Sequence, residues 1–164
     1  RKAIDAGADV LELDVHLSRD NNLVVIHDNT VDTTTNGSGS VKNKTVSDLK
    51  KLNAGFKFFQ HNKGIHNFPF LEHELKIPLL NELFAEFKNR RFNIDIKQHE
   101  KKVCESALNL IREFTMEEKV LVVSDDDETI KYFRKIAKET IATGASSREV
   151  RNFIFLKNNL NVYK

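Results

Sequence analysis

Cysteine is nearly absent from this chain, neither sign of charge is in excess, and long apolar runs are missing. The single cysteine, Cys104, cannot form an internal disulfide, so the fold does not depend on an oxidising compartment. Its surroundings read as a buried or half-buried helix position. Lys and Arg total 26 against 24 Asp and Glu, a net charge of +2, and they are scattered rather than gathered into a stripe. That balance gives no electrostatic case for nucleic acid or an anionic membrane as partner. No stretch reaches the length of a membrane helix, and the opening RKAIDAGADV lacks the anatomy of a signal peptide. With no repeat of fixed period and no low-complexity linker, the 164 residues read as one domain, 1–164. A composition of 40% hydrophobic and 30% charged residues is that of an ordinary globular chain with a sizeable core.

Strand-length apolar runs alternate with stretches of helical period, the pattern of βα units on a parallel sheet, and the fold class is read as α/β. The strand candidates are Val10 to His16, Leu23 to His27, Arg91 to Lys97 and Val120 to Ser124, with a weaker one at Thr140 to Thr143. Ser47 is the expected N-cap of a helix carrying Leu49 and Leu52. Val103, Ala107, Leu110, Ile111 and Phe114 form the apolar stripe of a second helix, and a third follows Asp126. Ser146 and Glu149 have the spacing of a capping box ahead of Val150, Phe153 and Ile154. Residues 29–80 break the alternation and read as a long excursion, a feature often tied to function.

Side chains on a strand alternate in direction, so Glu12 and Asp14 share one face of the first strand while Leu11, Leu13 and Val15 share the other. Two carboxylates on one face are costly in an interior unless a cation or hydrogen-bond donors neutralise them. A metal is the simplest answer; a solvent-facing edge strand is the plain alternative. His27 closes an almost wholly apolar run, and a histidine at a strand end is suited to acid–base work. A satisfied structural histidine is its alternative. In Asn93-Ile94-Asp95-Ile96-Lys97 the polar residues share a face, where Asp95 could join a hard-oxygen metal site and Lys97 could hold a phosphate oxygen.

The stretch GADVLELDVHLSRDNNLVVIHDNTVDTTTNGSG resembles the glycerophosphodiester phosphodiesterase family in content, order and spacing. The resemblance continues through TVSDLKKLNAG, IPLLNELF and NIDIK and fades after VLVVSDD. It implies a (β/α)8 TIM barrel with a long insertion after the strand ending in His27, of which this chain would hold roughly strands 2 to 6. It further implies that Glu12 and Asp14 match metal ligands and His27 one of two catalytic histidines. Asp95 stands where a glutamate ligand is usual, and Lys97 matches the phosphate-site lysine. Thr33 stands where an arginine commonly precedes the TTNG loop. His16, His61, His66, His73 and His99 fall outside the matched position and are expected to be loop or surface residues.

The implied chemistry is metal-dependent hydrolysis of a small glycerophosphodiester to an alcohol and glycerol 3-phosphate, with Ca²⁺ or Mg²⁺ as the cofactor suited to carboxylate ligands. The family's His-Arg-Gly strand and Pro-Glu-Asn-Thr loop would precede Arg1, and a (β/α)8 barrel takes about 250 residues. The 164 residues by themselves are therefore expected to be a poor hydrolase. Two other readings stand beside this one: a non-catalytic phosphodiester-binding module, and a carboxylate–metal barrel acting on carbonyl substrates. The sequence fixes neither compartment nor oligomeric state.

Overall fold

In the computed structural model, which describes residues 1–62 and 65–159, the order of elements is α1 (Lys2–Asp5), β1 (Val10–Leu17), β2 (Leu23–Val25), α2 (Val46–Lys50), β3 (Gln60–Asn62), β4 (Ile65–Asn67), α3 (Leu80–Glu86), β5 (Arg91–Ile96), α4 (Lys101–Glu113), β6 (Val120–Val123), α5 (Asp127–Ala137), β7 (Ala142–Thr143) and α6 (Ser147–Asn159). Five strands form one sheet in the order β2-β1-β5-β6-β7, which does not close among the described residues. The chain packs as two units, one of residues 1–13 with 89 onward and the other of residues 14–88, and β1 passes from the first into the second.

The first unit is the regular one. β5 pairs parallel with β6, Phe92 opposite Val120 through Asp95 opposite Val123, and β6 pairs parallel with β7. Along β5, Phe92, Ile94 and Ile96 are buried while Asn93 and Asp95 are half-buried, the alternation that the sequence predicts. α4 and α5 pack on each other, and Val103, Ala107 and Ile111 of α4 join Ile130, Phe133 and Ala137 of α5 in the core. Cys104 is buried with them. Asp126 caps α5 by accepting from the Thr129 backbone N–H at 2.8 Å. The capping box of α6 forms as expected: Ser146 N–H donates to Glu149 Oε2 at 2.8 Å and Glu149 N–H to Ser146 Oγ at 3.3 Å. Val150, Phe153 and Ile154 on that helix are exposed.

The second unit departs from βα rhythm. β2 runs antiparallel to β1, with Val15 opposite Val25 and Leu17 opposite Leu23. The run from Leu23 is thus the return arm of a hairpin, and the strand stops at Val25, short of the expected His27. Ser18 N–H donates to Asn22 O at 2.9 Å to close the turn, where Asn21 takes φ +63. The first helix of the excursion is capped by Thr45 rather than Ser47. Thr45 and Asp48 form the capping box there, because Ser47 already lies inside α2. Val24, Val31, Val41, Leu49, Ile77 and Leu79 make a core of their own, supported by Ile26, Val46, Leu52 and Ala54. No helix among the described residues is long and apolar enough to cross a membrane.

Candidate active site

The candidate residues of the second unit lie on β1 and just beyond β2. Asp14 is half-buried on β1, and its carbonyl accepts from the Ile26 backbone N–H at 3.0 Å. Immediately after that bond, His27 leaves the ladder with 72% of its side chain exposed. Its Nδ1 lies 2.7 Å from Asp28 Oδ1. A carboxylate only accepts, so Nδ1 carries the proton and Nε2 is the basic nitrogen of the neutral ring. The Thr33 hydroxyl, followed by the His27 ring, holds the Asp28 carboxyl below its usual range, which keeps it ionised as the partner of His27. Thr33 thus contributes a hydrogen bond to the carboxylate beside His27.

His16 is a correction to the reading of histidines other than His27 as loop or surface residues. It is buried on β1, 4% exposed, opposite Val24. Its Nε2 lies 3.0 Å from the His27 carbonyl oxygen, so this nitrogen carries the proton and donates. Burial pushes the imidazole below its ordinary value, against the opposing pull of that hydrogen bond. His73 and His99 are exposed as expected, His99 with its Nε2 3.0 Å from Asp125 Oδ1. The side chains of His61 and His66, on β3 and β4, lie outside the described residues.

In the first unit, Glu12 is an exposed residue of β1, and Asp95 and Lys97 stand together. Lys97 Nζ donates to Asp95 Oδ2 at 2.7 Å, with the side chains 24% and 17% exposed. The second oxygen, Asp95 Oδ1, is buried and accepts no hydrogen bond among the described residues, and neither does Asn93 Oδ1. Two buried oxygen acceptors on one face of β5 without donors are an environment suited to a hard cation or an ordered water. Among the described residues there is no group of three or more His, Cys, Asp and Glu side chains set to hold a metal ion. Asp95 pairs with Lys97, and His27 with Asp28. A cavity of about 460 Å³ beside α4 and α5 includes Lys101, Cys104 and Tyr132 in its lining and none of the five candidate residues.

Sequence reasoning missed Asp28 and His16. The first was marked by its place next to His27; the second shares a strand face with Asp14, but its spacing does not mark the reach of its ring to the His27 carbonyl.

The glycerophosphoryl diester phosphodiesterase family matches residues 1–159. A glycerophosphodiester phosphodiesterase of Caldanaerobacter subterraneus subsp. tengcongensis is 38% identical over 142 residues, 84% of this chain and 54% of that protein. This chain spans about half the length of the curated relatives it matches. Among solved structures, the glycerophosphoryl diester phosphodiesterase domain of a Mycobacterium tuberculosis protein superposes with a TM-score of 0.85 at 23% identity, covering 99% of this chain and 57% of that one. An Oleispira antarctica phosphodiesterase, solved in complex with the product sn-glycerol-3-phosphate, gives 0.75 at 21% identity over 95% of this chain and 63% of that one. At these identities the two structures establish the shared fold.

Proposed function

The chain belongs to the glycerophosphoryl diester phosphodiesterase family, and from that premise we propose that it carries part of the active site of a metal-dependent hydrolase that splits glycerophosphodiesters into an alcohol and glycerol 3-phosphate. The observation that carries this reading is the His27–Asp28 pair, in which a carboxylate fixes the ring tautomer and leaves Nε2 to take or give a proton. The product bound in the Oleispira antarctica structure supports glycerol 3-phosphate as the product here.

Glu12, Asp14 and Asp95 are the proposed metal ligands, and the open Oδ1 of Asp95 fits that role. Their all-oxygen chemistry suits Ca²⁺ or Mg²⁺. A bound divalent cation would supply positive charge to the phosphoryl oxygens as negative charge builds there. Lys97, a compact positive charge that donates to Asp95 Oδ2, is the proposed holder of a phosphate oxygen. His27 moves a proton at Nε2, either from the attacking hydroxyl or to the leaving alcohol.

The test is turnover of the full-length protein, read as glycerol 3-phosphate release. His27→Ala is expected to lower kcat by roughly 10²- to 10⁴-fold with a smaller effect on binding. Asp95→Ala is expected to weaken Ca²⁺ or Mg²⁺ titration, whereas Asp95→Glu preserves it. Unchanged kcat in His27→Ala removes His27 from the mechanism, and an unchanged titration in Asp95→Ala removes Asp95 from the ligand set.

A further inference from the structure

The residue proposed to move the proton lies just past the end of a strand, a poor place from which to aim a ring. β2 stops at Val25, Ile26 makes a backbone bond to β1, and the chain then runs into the irregular segment that begins the excursion. A group that works by proton transfer needs its donor or acceptor atom fixed to within a fraction of an ångström. Asp28 fixes how the His27 ring turns but, as its neighbour in the chain, does nothing to fix where the backbone of His27 sits. His16 supplies a bond to that backbone. Its imidazole is buried on β1, within the ladder where Val24 stands opposite, and its Nε2–H reaches across to the His27 carbonyl at 3.0 Å.

We propose that His16 is the positioning residue of His27: it continues the β1–β2 pairing by one side-chain hydrogen bond and so holds the His27 backbone where the strand no longer does. The inference rests on the reading of His27 as the acid–base group. Two features make the bond a good clamp. The donor is a rigid ring on a paired strand, with two rotatable bonds, and it is itself buried, so its N–H has little water to turn to if the bond is lost. The same strand face also carries Glu12 and Asp14. Two of the proposed ligands, Glu12 and Asp14, and the anchor of the proton-transfer group therefore alternate along β1.

The experiment is a double-mutant cycle in the full-length protein between His16→Phe, which keeps a ring and removes the donor, and His27→Ala. His16→Phe is expected to lower kcat by about 10- to 100-fold while KM changes less than about threefold, since a misplacement of about 1 Å can cost 10²-fold in rate. His16→Gln, which keeps an N–H donor, is expected to recover most of that loss. The double variant is expected to be no slower than His27→Ala alone, because His16 acts only through His27. Full kcat in His16→Phe, or losses that multiply in the double variant, would overturn the inference while leaving the acid–base reading intact. Full kcat in His27→Ala would instead overturn the acid–base reading, and this inference with it. Should His16→Phe fail to fold, the unmodified protein decides: NMR of its imidazole nitrogens is expected to show His16 as the Nε2–H tautomer with a slowly exchanging proton. A His16 ring protonated only on Nδ1 would refute the bond.

Discussion

From Arg91 to Ala137 the backbone bonds are made mostly within strands and helices of up to 13 residues, and β5, β6, α4 and α5 each bury apolar residues. From Asp14 to Lys88 many of the bonds that give the chain its shape come from side chains. Asp20 accepts from Ser18 Oγ at 2.7 Å and from Val46 N–H at 3.1 Å, tying the hairpin turn to the start of α2. Buried Thr35 donates to the Val31 carbonyl at 2.7 Å and accepts from Gly37 N–H at 2.9 Å. Asp32 accepts from Gly39 N–H at 2.8 Å. The first region is specified by periodicity, the second by particular polar contacts. Substitutions should divide accordingly, with volume deciding the outcome in one and hydrogen-bond chemistry in the other.

The sharpest way to break this division is at Phe133, fully buried in the helical layer of the first region. Phe133→Ala is expected to destabilise by about 3–5 kcal/mol, as large-to-small core changes do, seen as a lower midpoint of denaturant unfolding. A cost under about 1 kcal/mol would mean that α5 is not packed as described. Next in size, Thr35→Val keeps the shape and removes the hydroxyl, leaving Val31 O and Gly37 N–H without it. Val31 O still accepts from the Thr35 N–H at 3.1 Å, so the expected cost is roughly 1 kcal/mol, from the two lost hydroxyl bonds. A neutral result in the same unfolding measurement would contradict polar specification of the excursion.

The smallest effect is on the surface of the first region, where Arg134 grips Glu149 with two N–H donors at 2.6 and 2.9 Å. That grip, aided by the Ser146 N–H, takes the Glu149 carboxyl from 4.5 down to about 2. A carboxyl lowered on folding supports the fold when ionised. Its contribution is therefore complete above about pH 4.5 and fades as the pH falls towards 2. Glu149→Gln is expected to lower the unfolding midpoint slightly at neutral pH, as exposed pairs do, and to match the unmodified protein near pH 2. A gap that stays constant across that range would show that the charge is not the source.

The same contrast explains what could be read from the sequence. NIDIK is legible because isoleucines alternate with polar residues, and the structure buries Ile94 and Ile96 and half-buries Asn93 and Asp95. The direction of β2 was misread because an apolar run such as LVVI looks alike in parallel and antiparallel pairing. The connection decides the direction: Ser18 to Asn22 is too short for a parallel crossover, which takes a dozen or more residues, and fits only a hairpin. Thr45 and Asp48 likewise carry the capping-box spacing, with the cap two residues ahead of Ser47. Glu12, Asp14 and Asp95 were visible as candidates at alternating strand positions, and His27 and Lys97 as polar residues closing strand-length runs. His16 was not, because its role depends on how far its ring reaches across the hairpin, which spacing along one strand does not encode.

The excursion has a neck. Ala54 N–H donates to Leu75 O at 2.7 Å, Asn53 Nδ2 to Leu71 O at 3.1 Å, and Gly55 leaves room for Phe70 and Leu75, where a side chain's first carbon would come within 2.7 Å of Phe70 Cβ. A segment whose two ends are fastened together is, thermodynamically, a closed loop hung from a fixed base. Its length then enters only through the logarithm of the number of residues, roughly 0.6 kcal/mol for a doubling. Lys57 is also tied to the Thr34 carbonyl at 3.2 Å, so it is a change in length beyond Lys57 that is expected to cost the rest of the unit little, provided the neck is kept. The protein can change what it presents there without reworking β1, and a hairpin of another length grafted onto the same two ends should leave the fold standing.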